Sequence, residues 1–420
     1  MWVPRPWVNP STGKCVSEME LLKLFIIFAI MMLILIAFKR PLWMSTLVGI
    51  IASVIIYQIP LFDALRITGG ALVSQSSIEI LAVIYLVNFL QLMMQQKGAI
   101  ARAEKAMLRL FTNRRAIIVF APIFMGLLPA PNAVVLSAPI VDSTAGNDLG
   151  IGEKTFLTSY FRHVPESAFP LYPALLLATR VTGLSPGLFL LGILPLAAIS
   201  IVFCYFTKLR KIQAGSGIPP SRNPRKDLTE MVMSLWPIML LIVVVLFGGL
   251  SAALSTLAVC VLLYAVYRFP IGKLPGLIRG SFSFPIMMGM ATVLVLKDII
   301  ASTGIVQALP GIFEGLPIPL YLVYALVTFI GGLTGLGNAV IGVLFPIAFV
   351  SIPGAGIPLL LLLMGFSHSA SQISPTHICL EIAVNYFKSD FRSLILNTLP
   401  VTLFYCLSAV LYYLLLTTVF

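Results

Sequence analysis

The sequence predicts an all-α polytopic membrane protein of about ten transmembrane helices, arranged as two inverted repeats that each hold a re-entrant hairpin and a broken helix. Three observations predict this fold. The chain is 59% hydrophobic, with a mean hydropathy of +1.03. Apolar runs of roughly 17–25 residues recur along it, each long enough to cross a hydrocarbon core about 30 Å thick. Finally, one pattern of Gly, Asn, His and Pro occurs twice.

Composition also excludes several functional classes. The net charge of +12 does not indicate nucleic acid as a partner, because basic residues of a membrane protein collect in its cytoplasmic loops. The five cysteines have no Cys-x-x-Cys or His-rich spacing, so neither a disulfide framework nor a metal knuckle is indicated. We expect no metal and no bound cofactor. The lack of a phosphate-binding loop argues against an ATP-driven pump.

The first elements follow directly from the order of polar and apolar runs. Residues 1–20 are predicted to be an N-terminal extension, and Met19 opens the typical start of such a protein, which would make residues 1–18 dispensable. The next apolar run has no signal cleavage site and is predicted to be a retained first span. The ten candidate spans are Leu21–Phe38, Leu42–Gln58, Ile78–Gln96, Thr155–Thr179 (broken), Ser185–Phe206, Met231–Leu250, Ala252–Tyr267, Phe282–Ile300, Ile357–Tyr386 (broken) and Leu394–Phe420.

Two further apolar stretches do not fit a single crossing. Pro129 and Pro131 interrupt Ala116–Val141, and four glycines between 331 and 337 interrupt Ile318–Val350. Each arm is then about a dozen residues, or ~18 Å at 1.5 Å per residue, which is too short to cross. We expect helix–turn–helix hairpins that enter and leave the membrane on the same side.

The distribution of positive charge supports these re-entrant hairpins. With Lys39 and Arg40 inside, the inner loops hold 20 of the 27 Lys and Arg residues, a bias that is lost if either hairpin crosses. We therefore expect a multi-pass protein of the cell (plasma) membrane, in bacterial terms the cell inner membrane, with basic loops in the cytoplasm. The predicted units are a first inverted repeat at 21–207, a cytoplasmic linker at 208–229 and a second inverted repeat at 230–420.

The internal repeat is the most specific of these signals. Matches fall at an offset of 206 in the hairpins and 205 in the broken helices, and they include residues that are hard to match by chance in a Leu/Ile/Val-rich chain. Five predicted crossings lie between the hairpins, an odd number, so the halves should be inverted. Such inverted repeats with broken helices are typical of secondary transporters. The matched pairs are Gly98/Gly304, Gly126/Gly332, Leu127/Leu333, Asn132/Asn338, Ala133/Ala339, Val134/Val340, Phe161/Phe366, His163/His368 and Pro170/Pro375.

The first break carries the residues that are most costly inside a membrane. Arg162, His163 and Glu166 lie within a predicted span, where a central charge costs roughly 2.5–3.5 kcal/mol. Pro165 and Pro170 each remove a backbone donor, so we expect the helix to break there. A charged, broken helix at membrane depth must be buried in protein or line a watery cavity. The structural alternative is a kink with a satisfied ion pair.

The residue types at the two breaks predict a binding site for an anion. Arg162 offers a planar fork for a carboxylate or phosphate, and Glu166 either pairs with it or binds the coupling ion. His163 and His368 can donate to an anion or carry a proton. In the second break, Ser374 before Pro375 is typical of a helix start whose free amides favour an anion.

The hairpin tips add one asparagine each. Its amide group can coordinate a cation or hold a carboxylate oxygen, although an asparagine is also common in tight turns. His377 has no histidine partner in the first half and is interpreted as a satisfied core residue, and Lys297–Asp298 as a surface pair. The predicted substrate-binding residues are Asn132, Arg162, His163, Asn338, His368, Ser371 and Ser374, and the predicted coupling-ion residues are Glu166, Asn132 and Asn338.

The motifs also resemble a known family. Leu128-Pro-Ala-Pro131, Ser137-Ala-Pro139, Asp142 and Phe161-Arg-His163 look like the integral-membrane family called domain of unknown function 401. The duplicated hairpin and broken helix are similar in architecture to the ion-transporter superfamily of gluconate permeases and divalent-anion:sodium symporters. That resemblance implies a homodimer. In the symporters, Ser-Asn-Thr tips bind sodium and carboxylate, whereas here the asparagines lack flanking hydroxyls.

We therefore expect a cation-coupled secondary transporter of a small organic anion that works by alternating access, with H⁺ or Na⁺ as the coupling ion. Its partners would be the anion and the lipid bilayer, with no nucleic acid, and it would not be an enzyme. Two alternatives stay open. One is an intramembrane metal-dependent enzyme that uses His163, His368 and Glu166, although the chain has no His-Glu-x-x-His motif. The other is a channel.

Overall fold

The computed structural model describes residues 13–419 except 39, 112, 128–132, 170–171, 214–220, 222, 248–249, 306–316 and 376, and the described chain is helical apart from turns and short connections. Its α-helices are α1 Gly13–Met32 (continued by a π turn, Leu33–Ala37), α2 Leu42–Ile56, α3 Leu61–Val73, α4 Gln75–Gln96, α5 Ala99–Leu110, α6 Arg114–Gly126, α7 Ala133–Ala145, α8 Ile151–Ala168, α9 Pro173–Thr182, α10 Pro186–Thr207, α11 Pro224–Phe247, α12 Ala252–Val266, α13 Leu274–Ser281, α14 Phe284–Ser302, α15 Leu320–Leu333, α16 Gly337–Ser351, α17 Ile357–Ser371, α18 Ile378–Phe387 and α19 Phe391–Val419.

Five of the described helices are long and apolar enough to cross a membrane, namely α4, α10, α11, α14 and α19. Shorter apolar helices accompany them, among them α2, α12 and the four helices α15 to α18 between residues 320 and 387. Large apolar side chains such as Leu191 (67% exposed) and Phe247 (81% exposed) face outward, as suits contact with lipid rather than water. The chain is a multi-pass membrane protein, and its predicted all-helical class is confirmed.

Among the described residues, three helices lie where the sequence predicts no span: α3, α5 and α13. Helix α5 shows why. It buries Ala99, Ala103 and Ala106 on one side and exposes Arg102 and Arg109 on the other. Because its charges and apolar residues alternate with helical period, the average over a window is polar and the segment looks like a loop.

The two interrupted apolar stretches form helical hairpins. Helices α6 and α7 are 13 residues each, and α15 and α16 are 14 and 15 residues. At 1.5 Å per residue these arms are about 20–23 Å long, shorter than a hydrocarbon core of about 30 Å. Between α15 and α16 the turn passes through Gly335 at φ +78°, a conformation that glycine adopts without strain. The tip of the first hairpin, 128–132, lies outside the described residues.

Both predicted broken helices are interrupted in the structure. Some of the predicted positions within them, however, are wrong. Pro165 lies inside α8, which continues to Ala168, so the prediction of a break there is wrong. A missing backbone donor is tolerated where neighbouring helices enclose the turn. The break follows at Phe169, whose backbone is extended. Likewise Ser374–Pro375 does not start a helix: α18 begins at Ile378, and its N-cap is His377.

Helices of the two chain halves exchange partners around these breaks. Helix α9 packs on α16, the second arm of the distant hairpin, and α18 packs on α7 in the same way. Helix α8 packs against α6, α7, α18 and α19, which leaves Arg162 buried. Helix α17 packs against α10, α15 and α19. The breaks therefore lie at the centre of the bundle.

Ion pairs hold the base of the first hairpin. Arg114 Nη1 lies 2.8 Å from Asp148 Oδ2, and Lys154 Nζ lies 2.7 Å from Asp142 Oδ1. Lys208 Nζ donates to Glu153 at 3.3 Å, which ties α10 to the start of α8. The acidic residues after the hairpin are thus paired with basic residues, and they fix the α7–α8 connection to its neighbours.

Candidate functional site

The end of α6, the first arm of the first hairpin, is fixed to both arms of the first broken helix. Gly126 ends α6 and packs directly on α8, since a Cβ at this position would lie 2.1 Å from the carbonyl oxygen of Arg162. The hydroxyl of Tyr172, the N-cap residue of α9, donates a hydrogen bond of 2.5 Å to the carbonyl oxygen of Gly126. Only a residue without a side chain allows this approach.

The second hairpin is fixed in the same way. A Cβ at Gly332 would lie 2.7 Å from the Cβ of Ala370 and 3.2 Å from the carbonyl oxygen of Ser367. The hydroxyl of Ser374 donates a hydrogen bond of 2.7 Å to the carbonyl oxygen of Leu333. The Gly332–Ser367 approach stands at the repeat offset from the Gly126–Arg162 approach, so this part of the sequence duplication is also a duplication of a tertiary contact. The Ser374 hydrogen bond joins the same two elements in another register, because position 374 stands opposite Phe169 and not opposite Tyr172.

A buried ion pair lies at the end of α8. Arg162 is 3% exposed, and its Nη1 donates to Glu166 Oε2 at 2.6 Å. The two residues are four apart, so one turn of helix brings guanidinium and carboxylate together. The Glu166 side chain is 27% exposed. The pair satisfies both charges in a place where either one alone would be strongly unfavourable.

His163 has one ring nitrogen occupied and one facing the site. Its Nδ1 lies 2.6 Å from the carbonyl oxygen of Ser159. A carbonyl accepts only, so Nδ1 carries the proton and donates. The Nε2 atom has no hydrogen-bond partner among the described residues, and it lies 3.8 Å from Glu166 Oε2. The ring is completely buried.

His377 completes this cluster, and it is half-buried there. Its ring centroid lies 4.7 Å from that of His163, and its Nε2 lies 3.9 Å from Glu166 Oε1. It reaches α8 because it precedes α18, which packs there. Cys379 follows two residues later and is 3% exposed. The structure thus joins residues that are more than 200 positions apart.

His368 belongs to a second polar group, one helix turn away along α8. Its ring centroid lies 6.4 Å from that of Tyr160 and 5.6 Å from that of Tyr405. The side-chain nitrogen of Gln372 lies 3.2 Å from His368 Nε2. Within the described part of the chain, both tyrosine hydroxyls and Gln372 Oε1 are buried without a hydrogen-bond partner. This group offers several polar atoms to a bound molecule or to water.

The remaining predicted site residues are placed as follows. Asn132 lies outside the described residues. Asn338 is half-buried in the first turn of α16, next to Gly337, whose added Cβ would lie 3.9 Å from Ser367 Oγ. Ser371 donates to the carbonyl oxygen of His368 in its own helix. Ser374 holds the second hairpin and is not a helix cap, so its predicted capping role is wrong.

Sequence reasoning missed His377 and Tyr172 as a pair, although a signal was present. They stand at the repeat offset of 205 from each other. Each is the N-cap residue of the second arm of its broken helix. The repeat is recognised by its identical residues, and a tyrosine opposite a histidine is not an identity.

These features define an all-helical multi-pass membrane protein with a buried, charged site where two broken helices meet. The chain belongs to the family described as "Protein of unknown function (DUF401)", whose model matches residues 19–418. The family resemblance inferred from the motifs is thereby confirmed. A comparison with curated proteins returns no match.

The close approach of Gly126 to α8 predicts a marked loss of stability in Gly126→Ala. The new methyl group would collide with a backbone carbonyl that cannot rotate away, which costs ~1–3 kcal/mol or more. The thermal unfolding midpoint of the purified protein in detergent measures this. Gly276→Ala is the matched control, because nothing lies within 4 Å of its added Cβ. Equal midpoints for both variants would contradict the close approach.

Proposed function

We propose that this protein is a cation-coupled secondary transporter of a small organic anion, working by alternating access with H⁺ or Na⁺ as the coupling ion. The observation that carries the proposal is the duplicated contact between hairpin and broken helix on either side of one buried Arg162–Glu166 pair. Two copies of a scaffold around one charged site are what alternating access needs, because each half can close one face of the membrane.

Inverted orientation of the halves is the first part of the proposal. Between the two hairpins lie α8/α9, α10, α11, α12 and α14, and if each crosses once, the second hairpin enters from the opposite face. The exchange of α9 and α18 between hairpins supports this arrangement, because a two-fold relation requires both contacts. The short hairpin arms support re-entry. We infer that the basic loops are cytoplasmic and that the protein lies in the cell membrane.

An anionic substrate follows from the buried guanidinium. Arg162 is paired with a carboxylate from its own helix. Guanidinium binds carboxylate and phosphate groups with a planar pair of donors. An anion that reaches the site would therefore replace Glu166 as the hydrogen-bond partner of Arg162. Half-buried Asn338 and the polar group at His368 would contact the rest of the molecule.

This exchange gives a physical basis for coupling. While Glu166 is negative, it holds Arg162 at 2.6 Å and competes with the anion. A cation that binds at Glu166 compensates its charge and weakens that hold, so cation and anion each favour binding of the other. Without such a cation, the arriving anion would face a carboxylate at close range. Binding of both together, or neither, is the condition for symport.

The wider assignment rests on architecture alone. The duplicated hairpins and broken helices are similar to those of the ion-transporter superfamily, and we propose that the chain is a distant member and a homodimer on that basis. An intramembrane enzyme and a channel are the competing functions. In closed vesicles, an enzyme and a channel would each give a result different from that of a transporter.

Uptake into proteoliposomes tests the function. The purified protein is reconstituted, and a panel of radiolabelled mono- and dicarboxylates is offered under an imposed pH or Na⁺ gradient, after a thermal-shift screen has ranked them. We expect saturable accumulation above equilibrium that collapses with the gradient. Single-channel currents without accumulation would indicate a channel, and chemical conversion without accumulation would indicate an enzyme. Either result would reject the proposal.

Arg162→Gln should lower uptake by roughly 30-fold or more, since losing one partner of a buried charged contact costs about 2–5 kcal/mol. Arg162→Lys should recover part of it, because the charge stays while the fork is lost. Arg279→Gln, on exposed α13, is the matched control. Arg162→Gln should also lower the unfolding midpoint, because it leaves Glu166 without its charge partner. In the double variant Arg162→Gln/Glu166→Gln, the midpoint should return towards the wild-type value while uptake stays low. Recovery of both would reduce Arg162 to a structural role.

Glu166→Gln should separate binding from coupling. The neutral amide no longer competes for Arg162, so counterflow exchange of the anion should persist, while accumulation driven by a cation gradient is lost. The same vesicles measure both quantities. Glu104→Gln in α5 serves as control for removal of a carboxylate outside the site. Accumulation against a gradient in Glu166→Gln would place the coupling ion elsewhere.

A further inference from the structure

Three potential metal ligands come together beside the ion pair. One ring nitrogen each of His163 and His377 and the Sγ of Cys379 all lie within 4.8 Å of one another. They come from two helices that meet only in the tertiary structure, α8 and α18. His163 is completely buried and Cys379 is 3% exposed. The sequence alone does not show this set, because none of its spacings is that of a known metal motif.

His163 is oriented as a metal ligand usually is. Its Nδ1–H donates to the carbonyl oxygen of Ser159 at 2.6 Å, which leaves the lone pair of Nε2 facing the cluster. A carbonyl partner of this kind fixes the tautomer and the ring plane of metal-bound histidines. Within the described part of the chain, that Nε2 atom is buried and accepts no hydrogen bond. Its lone pair is therefore available to a metal ion.

The surrounding charges accept a cation. The Glu166 oxygens lie 3.8 Å from His163 Nε2 and 3.9 Å from His377 Nε2, so a carboxylate faces both imidazoles. Arg162 is the nearby positive charge, and it is held against Glu166 at 2.6 Å. The thiolate of Cys379 adds a second negative charge once a metal displaces its proton.

The ligand types select the class of ion. Two imidazoles and one sulfur suit zinc and related transition metals, whereas Na⁺, Mg²⁺ and Ca²⁺ prefer oxygen. Zinc bonds of about 2.0–2.1 Å to nitrogen and 2.3 Å to sulfur place tetrahedral ligand atoms about 3.3–3.7 Å apart. The observed set therefore needs to contract by about 1 Å, which side-chain rotations can supply.

We propose that His163, His377 and Cys379 bind one divalent transition-metal ion of the zinc class, with the fourth position open to Glu166 or water. The ion would tie α8 of the first half to α18 of the second. Binding is independent of the proposed transport. If transport is also correct, the tie opposes relative movement of the halves, and the ion inhibits uptake.

Cobalt(II) tests the site, because its thiolate complexes absorb by charge transfer. Purified, reduced protein in detergent is titrated with Co²⁺ and then with Zn²⁺. We expect one equivalent of Co²⁺, a thiolate-to-cobalt band that Zn²⁺ removes, and a raised unfolding midpoint with either ion but not with Mg²⁺. Cys379→Ser should abolish the band. Cys260→Ser should keep it, since that buried thiol lies in α12 and contacts the carbonyl oxygen of Leu86.

His377→Gln provides a second variant that keeps the thiol, and it should weaken Co²⁺ binding at least about tenfold. The proposal is overturned if wild-type protein shows no band and no metal-dependent midpoint, or if the band survives in Cys379→Ser. A band lost equally in Cys260→Ser would also overturn it. None of these measurements uses uptake, so failure of the metal site and failure of the transport proposal are told apart.

Discussion

The arrangement of this protein depends on one buried ion pair. Arg162 and Glu166 lie in a helix that is surrounded by other helices, and in such surroundings an unpaired charge is far less favourable than a paired one. The pair needs the two residues one turn apart on intact helix, which explains why α8 continues through Pro165. The C-terminal end of α6 packs against this turn of α8, because Gly126 lies directly on the carbonyl oxygen of Arg162. The intact helix, the break after it and the close approach of α6 together enclose the pair.

Much of the fold was predictable, because short stretches of sequence determine membrane spans and their interruptions. Apolar length identifies the spans, and Gly-rich or Pro-rich interruptions identify the hairpins. The errors came where local rules compete. Pro165 looked like a break and is accommodated within α8, while α5 looked like a loop and is a helix with one apolar face. In both cases the outcome is decided by the helices packed alongside, which the local sequence does not describe.

The site residues also differ in whether the local sequence could predict their proximity. Arg162, His163 and Glu166 lie within four residues, so their proximity could be predicted from helical spacing alone. His377 could not be placed in this way, because its contact with His163 joins the two halves of the chain. Predicting it would have required the repeat to be used as a structural alignment, in which position 377 stands opposite Tyr172. Position in a repeat carries information even where the residue types differ.

The two halves also differ in the charged residues at their breaks. At the repeat offset, Ser367 stands opposite Arg162 and Ser371 opposite Glu166, so the second break has no ion pair of its own. A perfectly two-fold protein would bring two guanidiniums and two carboxylates into one small volume, and their mutual repulsion would have to be offset twice. Here the scaffold is duplicated but the charge is not. A symmetric frame with asymmetric chemistry suits the proposed alternating access, in which two similar conformations would share a single charged site.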